Sequence, residues 1–123
     1  MPIFYGLLMK KLKKNSIDAY WIAYKKVTRD FKEFILELGI PYDANIADAS
    51  DCHGNIVRTD SVVVLKAETL TGEPSGFEKF YSMYDWNFEY KIGQKITSDL
   101  KTSKGIFCFL RKAEARRFMK KDH

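Results

Sequence analysis

Phe31-Lys32-Glu33-Phe34-Ile35-Leu36-Glu37-Leu38-Gly39-Ile40-Pro41 is the stretch on which the fold class turns. Its apolar residues obey two periods at once. Phe31, Phe34, Ile35 and Leu38 make a helical face, whereas Phe34, Leu36, Leu38 and Ile40 make a strand face with Glu33 and Glu37 opposite. Gly39 and Pro41 follow too closely for a comfortable helix, so the strand reading prevails. Residues 17–27 support it, with Tyr20, Ile22 and Tyr24 on one alternation, and Val62, Val63, Val64 and Leu65 form the strongest β-branched run.

Working outward, residues 1–14 are ambiguous: Leu7, Leu8 and Leu12 among lysines suit a short amphipathic helix, and Ile3 to Tyr5 a strand start. Residues 42–55, with Asp43, Asp48, Asp51, His53 and Gly54, read as a loop, and residues 70–76 as a turn. Residues 77–84 fit either a short aromatic helix or an irregular packed segment. Residues 87–90 read as a strand leading into the Ile92-Gly93-Gln94 turn, and residues 106–110 as a buried strand. A basic helix is predicted over residues 111–121, where Ala113, Ala115, Phe118 and Met119 sit among cations. The expectation is an α+β fold: a mixed or mostly antiparallel sheet of four to six strands with a C-terminal basic helix. A chain of 123 residues without repeat or linker reads as a single domain, residues 1–123, with a basic N-terminal segment, 1–14.

Hydrophobic residues make up 46% of the chain and aromatics 15%, enough for a real core and against disorder. Two cysteines, Cys52 and Cys108, are too few for a disulfide framework and read as free thiols of a cytoplasmic protein. No secretory leader is visible, and residues 3–9 are too short an apolar run to span a bilayer. The net charge of +5 is segregated: Lys10, Lys11, Lys13 and Lys14 put +4 at one end, and residues 111–123 put +4 at the other. With +8 on the two ends, residues 15–110 carry −3. Brought together in space, the ends would make one patch attractive to a polyanion.

Catalytic signatures are absent from the sequence. There is no phosphate-binding glycine loop, metalloprotease helix or nucleophile elbow. Asp43, Asp48, Asp51 and His53 match no calcium loop, and Cys52-His53 lacks a second ligand pair for zinc, so neither metal nor cofactor is expected. The aromatic run Phe77, Phe80, Tyr81, Tyr84, Trp86, Phe88 and Tyr90 reads first as core and second as a stacking surface for bases.

Three blocks carry a resemblance. They are Ala23-Tyr24-Lys25-Lys26-Val27; Phe34 through Ile40-Pro41-Tyr42-Asp43-Ala44; and Phe88-Glu89-Tyr90-Lys91-Ile92-Gly93 with Gly105-Ile106-Phe107-Cys108-Phe109, Arg111, Glu114 and Ala115. Over residues 17–118 their order resembles an uncharacterised small domain of phages, large DNA viruses and bacteria, often found beside pentapeptide repeats. That pattern has His where this chain has Phe107 and Cys where it has Thr102, so chemistry through either group would be lost here. The Gly105-Ile106-Phe107 block, with Ala113, Ala115 and Phe118, also distantly resembles ADP-ribosyltransferases.

The charge segregation and the absence of a catalytic set, set beside the resemblance, point to a non-enzymatic accessory binding module of phage or viral type. Its partner would be anionic: nucleic acid, a nucleotide signal, or an acidic host protein, as in inhibition of a host defence system. The expected contacts are Lys10, Lys11, Lys13, Lys14, Arg111, Arg116, Arg117 and Lys120. The alternatives are a nucleotide-handling or degenerate ADP-ribosyltransferase-like enzyme, with Tyr24, Lys25, Tyr90 and Gly105 lining a pocket, and a structural part of a larger assembly.

Overall fold

The computed structural model describes residues 13–14, 20–48, 56–83, 87–98, 100 and 105–118. In chain order these form β1 (Lys13–Lys14), β2 (Tyr20–Arg29), β3 (Lys32–Pro41), β4 (Ile46–Asp48), β5 (Ile56–Thr59), β6 (Ser61–Thr69), β7 (Lys79–Ser82), β8 (Glu89–Lys91), β9 (Lys95–Thr97), β10 (Ile106–Phe109) and α1 (Lys112–Arg117). Every strand pairing is antiparallel. The ten strands belong to one sheet, whose main path runs β4-β5-β10-β2-β3-β6-β9.

This corrects the expected α+β fold of four to six strands: the protein is mostly antiparallel sheet with one short helix among the described residues. The undercount has a simple cause, since β4, β8 and β9 are three residues each and too short to show a period. Within the aromatic segment, Lys79–Ser82 is a strand rather than a helix, because Phe80 points into the core while its neighbours do not. The helix ends at Arg117, earlier than expected, where Phe118 turns extended (ψ 131°) and lays its ring 5.5 Å from that of Phe109.

The spine is the β2–β3 hairpin, paired without interruption from Tyr20↔Pro41 to Arg29↔Lys32. Alternation sends Trp21, Ala23 and Val27 of β2, and Phe34, Leu36, Leu38 and Ile40 of β3, to one face. Ile22, Tyr24 and Ile35 occupy the other, where they bury Ala115 of α1. A Cβ on Gly39 would come within 2.8 Å of the Tyr20 ring, so glycine there admits the aromatic across the strand pair.

The sheet must curl. β5 and β6 are separated by three strands along the path, which is about 19 Å in a flat sheet. Yet Asp60 alone joins them, spanning at most about 7 Å from Thr59 to Ser61. A β-bulge at Leu65, marked by the register shift between Glu37 and Leu38, adds bend. Asp60 then fastens the seam. Its carboxylate accepts from the Asn45 backbone N–H at 3.0 Å and from Asn45 Nδ2 at 2.8 Å, its N–H donates to the Asn45 carbonyl, and its carbonyl accepts from Ser98 N–H at 2.9 Å. The larger core lies inside this roll, with side chains from β2 through β10, including the fully buried Val57, Val62, Val64, Phe80 and Cys108.

Asp60→Ala removes both Asn45 hydrogen bonds while keeping the backbone contacts. A loss of about 1–3 kcal/mol in unfolding free energy is expected in urea melts, with Asp60→Asn intermediate; an unchanged midpoint for Asp60→Ala would show that the side chain does not hold the seam.

Candidate functional site

β2 presents one edge to three partners in succession. β1 pairs at Lys13↔Ile22 and Lys14↔Trp21, β10 at Phe109↔Tyr24, and β7 at Val27↔Ser82 and Thr28↔Tyr81. The backbones of Lys13 and Phe109 therefore oppose β2 residues only two apart, about 7 Å along the strand. Leu110 and Arg111 follow Phe109 directly into α1. The N-terminal and C-terminal basic segments thus enter the fold side by side.

Opposite-facing lysines of β2 hold the neighbouring elements. Lys26 is buried on the helix side, where its Nζ donates to the Phe118 carbonyl at 2.7 Å and lies 3.7 Å from Glu33. At the other end of the helix, Lys112 pairs with Glu68 at 2.8 Å and stands 5.6 Å from the centroid of Tyr24. Lys26 and Lys112 therefore pin α1 to the sheet. Arg111, Arg116 and Arg117 are exposed, and none of their guanidinium groups makes an ion pair or hydrogen bond with another described residue. Of the four cations in residues 111–117, Lys112 docks the helix and Arg111, Arg116 and Arg117 face outward.

Of the remaining expected contacts, Lys10, Lys11 and Lys120 lie outside the described residues, and Lys13 and Lys14 are placed as backbone in β1. Asp43 is exposed and Asp48 lies in β4, while Asp51, Cys52 and His53 fall outside, as do Tyr84, Trp86 and Thr102. Phe107, at the position where the resembled domain carries His, is 37% exposed.

The four expected pocket residues do not form one cluster. Tyr24 packs on the helix side, where burial and then Glu37 raise its pKa. Lys25 turns to the opposite face, and its Nζ donates to the Phe107 carbonyl at 2.8 Å where β10 leaves the edge of β2. Burial lowers the Lys25 pKa, and burial pushes the neighbouring Cys108 thiol up to about 11 against the pull of that ammonium. Tyr90 shares the interior, and burial carries its hydroxyl far above the ordinary tyrosine range. Gly105 stands apart at the mouth of β10, with φ +78° and its Cα facing the Thr59 carbonyl and the Leu100 side chain. Sequence reasoning missed Lys26, Lys112 and Asp60; the pair Lys25-Lys26 inside an apolar strand was the available signal.

Two outcomes follow from this placement. Gly105→Ala combines a left-handed backbone with a Cβ 2.7 Å from the Thr59 carbonyl, so a destabilisation above about 2 kcal/mol is expected by chemical denaturation. Cys108, with its pKa raised from 9.0 to about 11, stabilises the fold fully below pH 9 and loses that contribution as pH rises to about 11. Lys25 acts in the opposite sense, since its lowered pKa makes stability rise with pH toward 10.5. Because the two windows overlap, thiol alkylation is the cleaner readout. In a Cys52→Ser background at pH 9.5, Cys108 should react at least tenfold more slowly in the native protein than in urea; equal rates would place the thiol at the surface.

No helix among the described residues is long and apolar enough to cross a membrane. No curated protein and no solved structure matches the chain significantly. The sequence model of a family of unknown function, DUF5758, matches residues 11–115, a span that takes in β1, the β2 edge, β10 and the first turn of α1. The chain accordingly belongs to the family of unknown function DUF5758.

Proposed function

We propose that this protein is a non-enzymatic accessory module of phage or viral type, acting in the host cytoplasm, that binds nucleic acid through the edge where its basic ends meet. The observation that carries this reading is the convergence of β1 and the β10–α1 corner on adjacent positions of β2. Among the described residues, Arg111, Arg116 and Arg117 make no ion pair, while Lys112 and Lys26 hold the helix to the sheet. Residues 10–14 and 111–123 carry +4 each against −3 on residues 15–110, so the basic charge belongs to the two segments that enter at that edge, where counterion release from a phosphate backbone would supply affinity. The enzyme reading finds less support, because Tyr24 and Lys25 occupy opposite faces of β2 and Gly105 answers to a backbone requirement.

Fluorescence anisotropy with short single- and double-stranded oligonucleotides across a salt series tests the proposal. The logarithm of affinity should fall linearly with the logarithm of salt concentration, by about 0.7–0.9 per phosphate bound. Charge reversal at Lys13 and Lys14, or at Arg116 and Arg117, should each weaken binding and flatten that slope by roughly one unit for every phosphate no longer neutralised. Binding that ignores both salt and the reversals, or no binding at low salt, would contradict it and direct attention to an acidic host protein.

A further inference from the structure

The two-residue turn of the β2–β3 hairpin holds one residue that such a turn ordinarily avoids. Asp30 and Phe31 both adopt positive φ, 52° and 66°; Asp suits the first position, but glycine is the usual choice at the second. A bulky aromatic in the left-handed region is a backbone outlier, and Phe31 is also 91% exposed. That exposure means core packing is not the reason for a phenylalanine there. Residues held in such sparsely populated backbone regions cluster at active sites and ligand clamps.

Phe31 lines a cleft of about 270 Å³ together with Thr28, Arg29, Asp30 and Tyr81. That is smaller than the pockets of about 300–1,000 Å³ that hold drug-sized ligands, and suited to one planar ring. The Thr28–Tyr81 pair lies across β2 and β7, and Thr28 shares its face of β2 with Lys26, two residues away. Lys26 holds the Phe118 carbonyl, so the end of α1 that carries Arg116 and Arg117 docks on β2 two residues from Thr28 of the cleft. The cleft itself is electrically balanced. Arg29 lies 3.7 Å from the Asp30 carboxylate, donates to the Lys79 carbonyl at 3.0 Å and stacks 4.3 Å from the Phe77 centroid. A neutral aromatic mouth next to free cations fits an uncharged ring attached to a phosphate chain. Asp30, an acceptor, would receive donors from the ring edge.

We infer that the β2–β3 hairpin tip stacks one unpaired nucleobase, so that the protein prefers single-stranded nucleic acid to duplex. The inference rests on the nucleic-acid reading above and adds the form of the ligand. Phosphates contact the basic edge, and a splayed base lies between Phe31 and Tyr81.

The test uses the full chain with three probes of equal length: a mixed-sequence single strand, the same strand carrying abasic sites, and its duplex. Phe31→Asn suits a left-handed turn but removes the ring, so it should raise the melting temperature while lowering single-strand affinity, on the order of 5- to 100-fold for one missing stack. Its affinity for the abasic strand and the duplex, and its salt slope, should match the unmodified chain. Phe31→Trp should retain single-strand binding, and Tyr81→Ala should lose it. Equal binding of the intact and abasic strands, with the salt slope preserved, would overturn the stacking site alone. Failure to bind any of the three probes at low salt would overturn the nucleic-acid reading and this inference with it.

Discussion

A single residue, Asp60, sets the shape of this protein. Because it alone connects two strands that lie four steps apart in the sheet, the sheet cannot remain open. Backbone length enforces the roll, the Leu65 bulge eases it, and the Asn45–Asp60–Ser98 hydrogen bonds close it. Burial follows from that closure. Side chains from short strands that could never stabilise a flat sheet, such as Ile46, Tyr90 and Ile96, reach a common interior.

Closure also makes β2 the organising strand. Its inner face contributes Trp21, Ala23 and Val27 to the roll, its outer face carries the helix, and its free edge is shared among β1, β10 and β7. The two consecutive lysines at its centre serve opposite sides: Lys25 satisfies a β10 carbonyl where the strands diverge, and Lys26 satisfies the carbonyl after the helix. Each ammonium satisfies a main-chain carbonyl of the element it holds. The lysine pair is thus a structural device, and among the described residues the exposed cations of the helix segment are Arg111, Arg116 and Arg117.

The sequence made the long strands legible. Residues 33–40 resolve as a strand because Phe34, Leu36, Leu38 and Ile40 all point inward, and the competing helical pattern arose from Ile35, which lies on the outer face beneath Ala115. A strand buried on both faces blurs its own alternation. The basic helix and the β-branched run at residues 61–69 were equally readable. Three-residue strands were not, since they gain their identity only from partners distant in sequence. Nor could local pattern reveal that one residue joins β5 to β6 across the sheet, or that Phe31 would sit at positive φ. For the candidate site, the charge segregation was visible in composition, but the adjacency of the two ends is a property of register along β2.

That adjacency is the claim on which the functional account stands, and backbone nuclear Overhauser effects across the β2 edge measure it directly. Cross-strand signals should appear both between Lys13 and Ile22 and between Phe109 and Tyr24, placing the two basic segments on neighbouring positions of one strand. Signals for Phe109–Tyr24 without any between Lys13–Lys14 and Trp21–Ile22 would separate the ends and remove the shared basic edge.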